Sequence, residues 1–117
     1  MSVQTTDCQI YIAPGATDLR LGLVGLSAIV QARFGRNPLD RSLYVFCNRS
    51  RTRLKIIHWD GSGFWLHQKQ LDRGRFAWLQ ETELSHVEIS ASEFAWLVHG
   101  IRLIPRSAES PPEHILY

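Results

Sequence analysis

Three apolar, β-rich runs at residues 43–47, 53–59 and 64–68 follow one another closely, and no other feature restricts the fold of this chain as much. Two turn clusters separate them: Asn48-Arg49-Ser50-Arg51-Thr52, dense in arginine, and Asp60-Gly61-Ser62-Gly63. Asp-Gly between two apolar runs is a strong hairpin signal, because both residue types tolerate the left-handed backbone of a tight turn. The three runs predict an antiparallel meander.

The flanking segments extend this core. Residues 8–13 are short, alternating and apolar and predict a strand that Pro14-Gly15 ends. Thr17 has the character of a helix N-cap, with Asp18 in the first turn. Leu19, Leu23, Leu26, Ile29, Val30 and Phe34 then recur at helical spacing up to Gly35, a natural stop, and Asn37-Pro38 marks a loop. Gly22 and Gly25 inside that helix would each cost about 1 kcal/mol against Ala if exposed, so they are expected to pack closely against a strand. Leu26, Ile29 and Val30 are expected to face Val45, Ile56 or their neighbours. Residues 71–78 predict a short turn and a short strand, and 86–89 another strand. Ser90 and Glu93 have capping-box spacing before a short helix carrying Phe94, Leu97 and Val98, closed by Gly100.

The expected fold class is α+β. An antiparallel sheet of about four to five strands carries one long helix on a face, with a short C-terminal helix at an edge or over the open face. At 117 residues, one domain over 1–107 is expected, large enough to bury a core without staples. Residues 108–117, with Pro111-Pro112 and no periodicity, are expected to form a flexible tail. Cys8 and Cys47 are too few for a disulfide framework and read as small hydrophobes in a reducing compartment. There is no visible secretory signal and no run of 18 apolar residues, so the expected location is cytoplasmic, without a membrane partner.

Charge is distributed unevenly. From residue 49 to residue 75, Arg49, Arg51, Arg53, Lys55, Lys69, Arg73 and Arg75 stand against Asp60 and Asp72, a net +5 within a chain of net +2. A basic block in a near-neutral chain is the usual footprint of a polyanion, most often nucleic acid. Arg49, Arg51 and Arg53 alternate, which on extended backbone sets three guanidinium groups on one side, and Lys55 continues that face. A solvated hairpin tip that discourages edge pairing is the plainer reading of the same pattern. Trp59, Phe64 and Trp65 flank the second turn. They would either stack on bases or contact a partner, or else complete the core.

No catalytic set emerges. His58 and His67 would face each other across the hairpin, but no Ser, Cys or carboxylate has the spacing to work with them. Asp60 and Asp72 are explained by turns, and a two-metal nuclease needs more converging carboxylates. The glycines around Gly61 lack the Lys-Ser/Thr of a phosphate loop. No cofactor, metal or catalytic residue is expected.

Together these motifs resemble the TnpB accessory proteins, the second-frame proteins of the sixty-six class of bacterial insertion sequences, over roughly residues 10–104. The likeness lies in Thr17-Asp18-Leu19-Arg20 with Gly22, Gly25-Leu26 and Val30, and in Leu43-Tyr44-Val45-Phe46 with Asn48-Arg49. It continues through 59–66, Trp-Asp-Gly-Ser-Gly-Phe-Trp-Leu, then Lys69, Leu71, Gly74-Arg75-Phe76, Leu97 and Gly100-Ile101. The RNA-guided nuclease of the same name is unrelated and far longer. The resemblance implies a non-catalytic accessory role in DNA transposition, beside a transposase and a small first-frame protein, with DNA as a further partner. It carries over no catalytic residue. The family usually has a basic residue where this chain has Leu21, and often Arg where it has Gln70, which implies weaker DNA affinity here. A pure protein-interaction module of the transposition complex, anchored on Trp59, Phe64 and Trp65, is the first alternative, and a metal-dependent nucleic-acid enzyme the second. A homodimer is left open.

Overall fold

A computed structural model describes residues 8–100. The expected tail at 108–117 and the Ile101 end of the resemblance lie outside the described residues. The elements are β1 (Ile10–Ile12), α1 (Leu23–Ala32), β2 (Leu43–Cys47), β3 (Arg53–Trp59), β4 (Phe64–Gln70), β5 (Val87–Ile89) and α2 (Ala91–His99). The five strands form one sheet in the order β4-β3-β2-β1-β5. The α+β class holds, and the meander lies where the sequence puts it, with Val45 opposite Ile56 and Ile57 opposite Leu66.

The sheet is mixed rather than purely antiparallel. β1 runs parallel to β2, with Ile10 beside Leu43 and Ile12 beside Val45, and antiparallel to β5. The connection explains the direction. α1 lies between β1 and β2 in the chain and carries it back to the end from which β1 started, as parallel neighbours require.

Alternation along the strands divides the core into two layers. On one face, Leu26, Val30 and Phe34 pack with Tyr11, Tyr44, Phe46 and Ile57. On the other, Phe94 and Leu97 of α2, with Phe76 and Trp78, cover Ile10, Ile12, Leu43, Val45, Cys47, Leu54 and Ile56. Covered on both sides, β2 is buried at all five positions. Leu26 and Val30 are buried as expected and Ile29 is half-buried, but Val45 and Ile56 belong to the opposite face, one residue out of phase with those that α1 meets. Burial pushes the Cys47 thiol up to about 12.

α1 is shorter than its periodicity suggests. Its N-cap is Gly22, and Thr17 and Asp18 belong to the preceding loop, where the Asp18 carboxylate accepts from the Arg20 backbone and guanidinium instead of capping a helix. Neither glycine of the segment packs on a strand. A Cβ on Gly22 would meet nothing within 4 Å, and one on Gly25 would lie 2.8 Å from the Leu21 side chain, so Gly25 leaves room for Leu21 to fold back over the helix start. Past the helix end Gly35 takes φ +66°, and Arg36 N–H donates to Val30 O at 3.0 Å.

The capping box of α2 forms as the sequence predicts. Glu93 N–H donates to Ser90 Oγ at 3.1 Å, and Ser90 N–H donates to Glu93 Oε1 at 2.7 Å. Residues 71–78 form no strand beyond an isolated bridge at Arg75. They run past the β2–β3 turn, where Phe76 N–H donates to Arg51 O at 2.7 Å, and they bury Phe76 and Trp78.

Candidate nucleic-acid interface

β2 ends and β3 begins at one end of the sheet, and β4 ends there too. The parallel pairing of β1 with β2 delivers the 13–22 loop to the same end. Arg49 and Arg51 in the β2–β3 turn with Arg53 at the start of β3, Arg73 and Arg75 after β4, and Arg20 in the 13–22 loop therefore converge from three separate stretches of chain. Arg20 escapes sequence reasoning because it lies about thirty residues from the basic block. The available signal is the strand–helix–strand order of residues 8–47, which makes β1 and β2 parallel neighbours.

The turn itself is tight. Asn48 Oδ1 accepts from Thr52 N–H at 2.9 Å and Arg53 N–H at 3.1 Å, Arg51 N–H donates to Asn48 O at 3.1 Å, and Arg51 sits in the left-handed region at φ 62°. The reversal breaks the extended alternation that would put three guanidinium groups on one side. Arg49 and Arg53 line a groove of about 880 Å³ together with Thr17, Asp18, Arg20, Lys55 and Gln68, whereas Arg51 does not. The Arg51 backbone instead meets the 71–76 segment, its carbonyl accepting from Phe76 N–H.

Within the groove, Lys55 Nζ donates to Leu21 O at 3.1 Å, tying the loop to β3. Arg20 grips Asp18 through two parallel bonds, Nε to Oδ1 at 3.0 Å and Nη2 to Oδ2 at 2.8 Å. The Arg20 side chain and backbone N–H hold the Asp18 carboxyl down at about 2. Among the described residues that line the groove, four cations stand against one carboxylate, so its lining is net positive. Lys69 has a different employment: it faces α2 and donates to Val98 O at 2.6 Å, satisfying a carbonyl of the last helical turn. Arg73 is exposed and 3.8 Å from Asp72, a pairing too solvated to hold it.

The aromatic residues lie at the other end. Trp59 is six residues along β3 from Arg53, about 20 Å at the rise of a strand. Trp59 and Phe64 pair edge-to-face on the α1 side of the sheet, with centroids 5.1 Å apart. Trp65 points to the α2 side and stacks on His67. The three do not form one stacking platform, and the arginines do not interleave with them. The Asp60 carboxylate accepts from Ser62 N–H, Ser62 Oγ, Gly63 N–H and Trp65 Nε1–H at 2.8–3.0 Å, and these bonds, led by the Ser62 N–H, hold it well below the usual carboxylate range. Its geometry is that of a turn residue and an indole anchor.

His58 Nδ1 and His67 Nε2 are buried without hydrogen-bond partners among the described residues. Burial first, then the neighbouring His58, pulls the His67 pKa below its ordinary value. Among the described residues no group of three or more His, Cys, Asp or Glu is placed to hold a metal ion, and no helix is long and apolar enough to cross a membrane.

Residues 8–108 match the model of the family described as IS66 Orf2 like protein. Two curated proteins of Sinorhizobium fredii are similar to the chain. Uncharacterized protein y4hO is 43% identical over 93 residues, 80% of this chain and 80% of its own length. Uncharacterized protein y4jC is 33% identical over 93 residues, 80% of this chain and 79% of its own. No solved structure matches.

Proposed function

The chain belongs to the IS66 Orf2-like family, which makes it an accessory protein of an insertion sequence, and from that premise we propose that it serves transposition without catalysis, by gripping DNA through the basic end of its sheet. The observation that carries this reading is the convergence of Arg20, Arg49, Arg51, Arg53, Arg73 and Arg75 at one end, from three separate stretches of chain. Guanidinium groups suit bidentate contact with phosphate. The separation of the aromatic residues from this end favours a duplex backbone over stacked single strands as the ligand. Binding of this kind is electrostatic and largely indifferent to sequence. The accessory role brings the transposase and the first-frame protein of the element in as partners, in the cytoplasm.

The test is duplex binding by fluorescence anisotropy across a salt series. The triple substitution of Arg49, Arg51 and Arg53 by Ala is expected to weaken binding and to flatten the slope of log K against log salt by about 0.9 per lost phosphate contact. A wild-type protein that ignores duplex DNA at low salt refutes the reading. A second reading is supported at the opposite end, where Leu66 is 44% exposed beside half-buried Trp59 and Phe64. These would anchor a protein partner such as the transposase. Pull-down of the transposase by wild type but not by Leu66→Asp would support it.

A further inference from the structure

The groove beside the β2–β3 turn is more than part of a charged surface. Thr17, in its wall, is only 7% exposed, and its backbone N–H is fixed to Cys47 O at 2.8 Å. Its Oγ1 is buried without a hydrogen-bond partner. Buried hydroxyls are rarely left so, and one on a residue in the wall of a basic groove is suited to donate to an oxyanion. Arg49 and Arg53 line the same groove, and Gln68, opposite Lys55 across the β3–β4 pair, adds an amide donor. Lys55, held by Leu21 O, adds a positioned positive charge to its lining.

Among the described residues, the only anion lining this groove is the Asp18 carboxylate, and it meets Arg20 with two oxygens against two nitrogens. The two non-bridging oxygens of a phosphodiester present the same pattern. Resting on the DNA reading above, we propose that the groove seats one phosphodiester of the DNA backbone, and that Asp18 is an internal phosphate mimic with which this phosphate competes for Arg20. Binding then exchanges one bidentate partner of Arg20 for another, and Asp18 sets how tightly the groove holds its ligand. Loss of the Asp18 charge removes both the competitor and a like-charge repulsion of the phosphate.

The experiment is a titration of the full chain with inorganic pyrophosphate, followed by amide resonances, in parallel with duplex binding. Shifts are expected at Thr17, Arg49 and Arg53 and at the Gln68 side-chain amide. Asp18→Asn is expected to tighten both pyrophosphate and duplex by about 3- to 10-fold and to steepen the salt dependence for duplex. Thr17→Val, which keeps the shape and removes the hydroxyl, is expected to weaken pyrophosphate several-fold without changing the salt slope. Asp18 is exposed, so Asp18→Asn should fold, and a melt of the variant verifies this. Pyrophosphate shifts absent from the groove, or a folded Asp18→Asn no tighter than wild type, overturn the proposal even if the triple arginine substitution abolishes duplex binding, in which case the DNA reading stands alone. Pyrophosphate bound in the groove by a protein that ignores duplex DNA overturns the phosphodiester assignment together with the DNA reading.

Discussion

Trp78 ties the loop that carries Asp18 and Arg20 to the rest of the protein. Its indole N–H lies 3.0 Å from both Ala13 O and Gly15 O, and its side chain is buried in the layer beneath α2. Trp78→Phe keeps one ring and removes the N–H with the pyrrole portion. The lost apolar burial, roughly 40 Å² at about 25 cal/mol/Å², costs about 1 kcal/mol. Leaving buried carbonyls without their donor costs about 1–3 kcal/mol more. The expected destabilisation is therefore about 2–4 kcal/mol. With an unfolding entropy of about 2.1 cal/mol/K per residue over 117 residues, this corresponds to a fall in Tm of about 8–16 °C. Trp96→Phe is the control, because that indole is half-buried on α2 and has no hydrogen bond among the described residues; it should lower Tm by less than about 4 °C. Thermal melting by circular dichroism reads both. Limited trypsin digestion adds a local readout, since loosening the loop should speed cleavage after Arg20 in Trp78→Phe alone. A Trp78→Phe protein that melts within about 2 °C of wild type would refute the view that this indole fixes the loop.

Leu26→Ala, at a fully buried site, should cost about 2–5 kcal/mol in urea denaturation, whereas Val24→Ala, two residues away and 84% exposed, should be neutral or slightly stabilising; equal effects would mean that the buried face of α1 has been misassigned. Asp60→Asn keeps an acceptor for Ser62 and Gly63 but turns an amide donor toward Trp65 Nε1–H, so the fold should survive while the Trp65 indole resonance shifts and exchanges faster; an unchanged indole signal would count against the anchor. Stability should fall as pH rises above about 9. The buried Cys47 thiol and Tyr44 phenol both stand at about 12 when folded, against 9.0 and 10.0 when unfolded, so the unfolded chain loses those protons first. Urea midpoints at about pH 8 and pH 10.5 test this, and Cys47→Ala should show the smaller drop. At the acid end, the His67 pKa is lowered when folded, so below about pH 6.5 the unfolded chain binds the extra proton and stability falls with pH; His67→Gln should flatten that limb.

Short-range chemistry is legible along the chain. The bounds of β2 and β3, the Asp60–Gly63 reversal and the Ser90–Glu93 box all lie where the sequence puts them, because each depends on residues within a few positions of one another. Thr17-Asp18 shows the limit of such signals. The pair has the composition of a helix start, yet Arg20 claims the carboxylate and the helix begins five residues later, at Leu23. The α+β class followed from the order of elements, but β1 could not declare its neighbours. All three of its residues are buried, so it carries no polar face to fix a direction or a partner. Its place between β2 and β5 is set by burial against both helical layers and by the reach of the connection through α1. That tertiary choice also made the candidate site. It brought Arg20 and Thr17 to Arg49 and Arg53, and it left the aromatic hairpin a strand's length away. Hydrogen bonds between near neighbours can be read along the chain, whereas the meeting of a loop at residue 20 with a turn at residue 50 depends on which strands pair, and pairing is decided by the burial of the whole sheet.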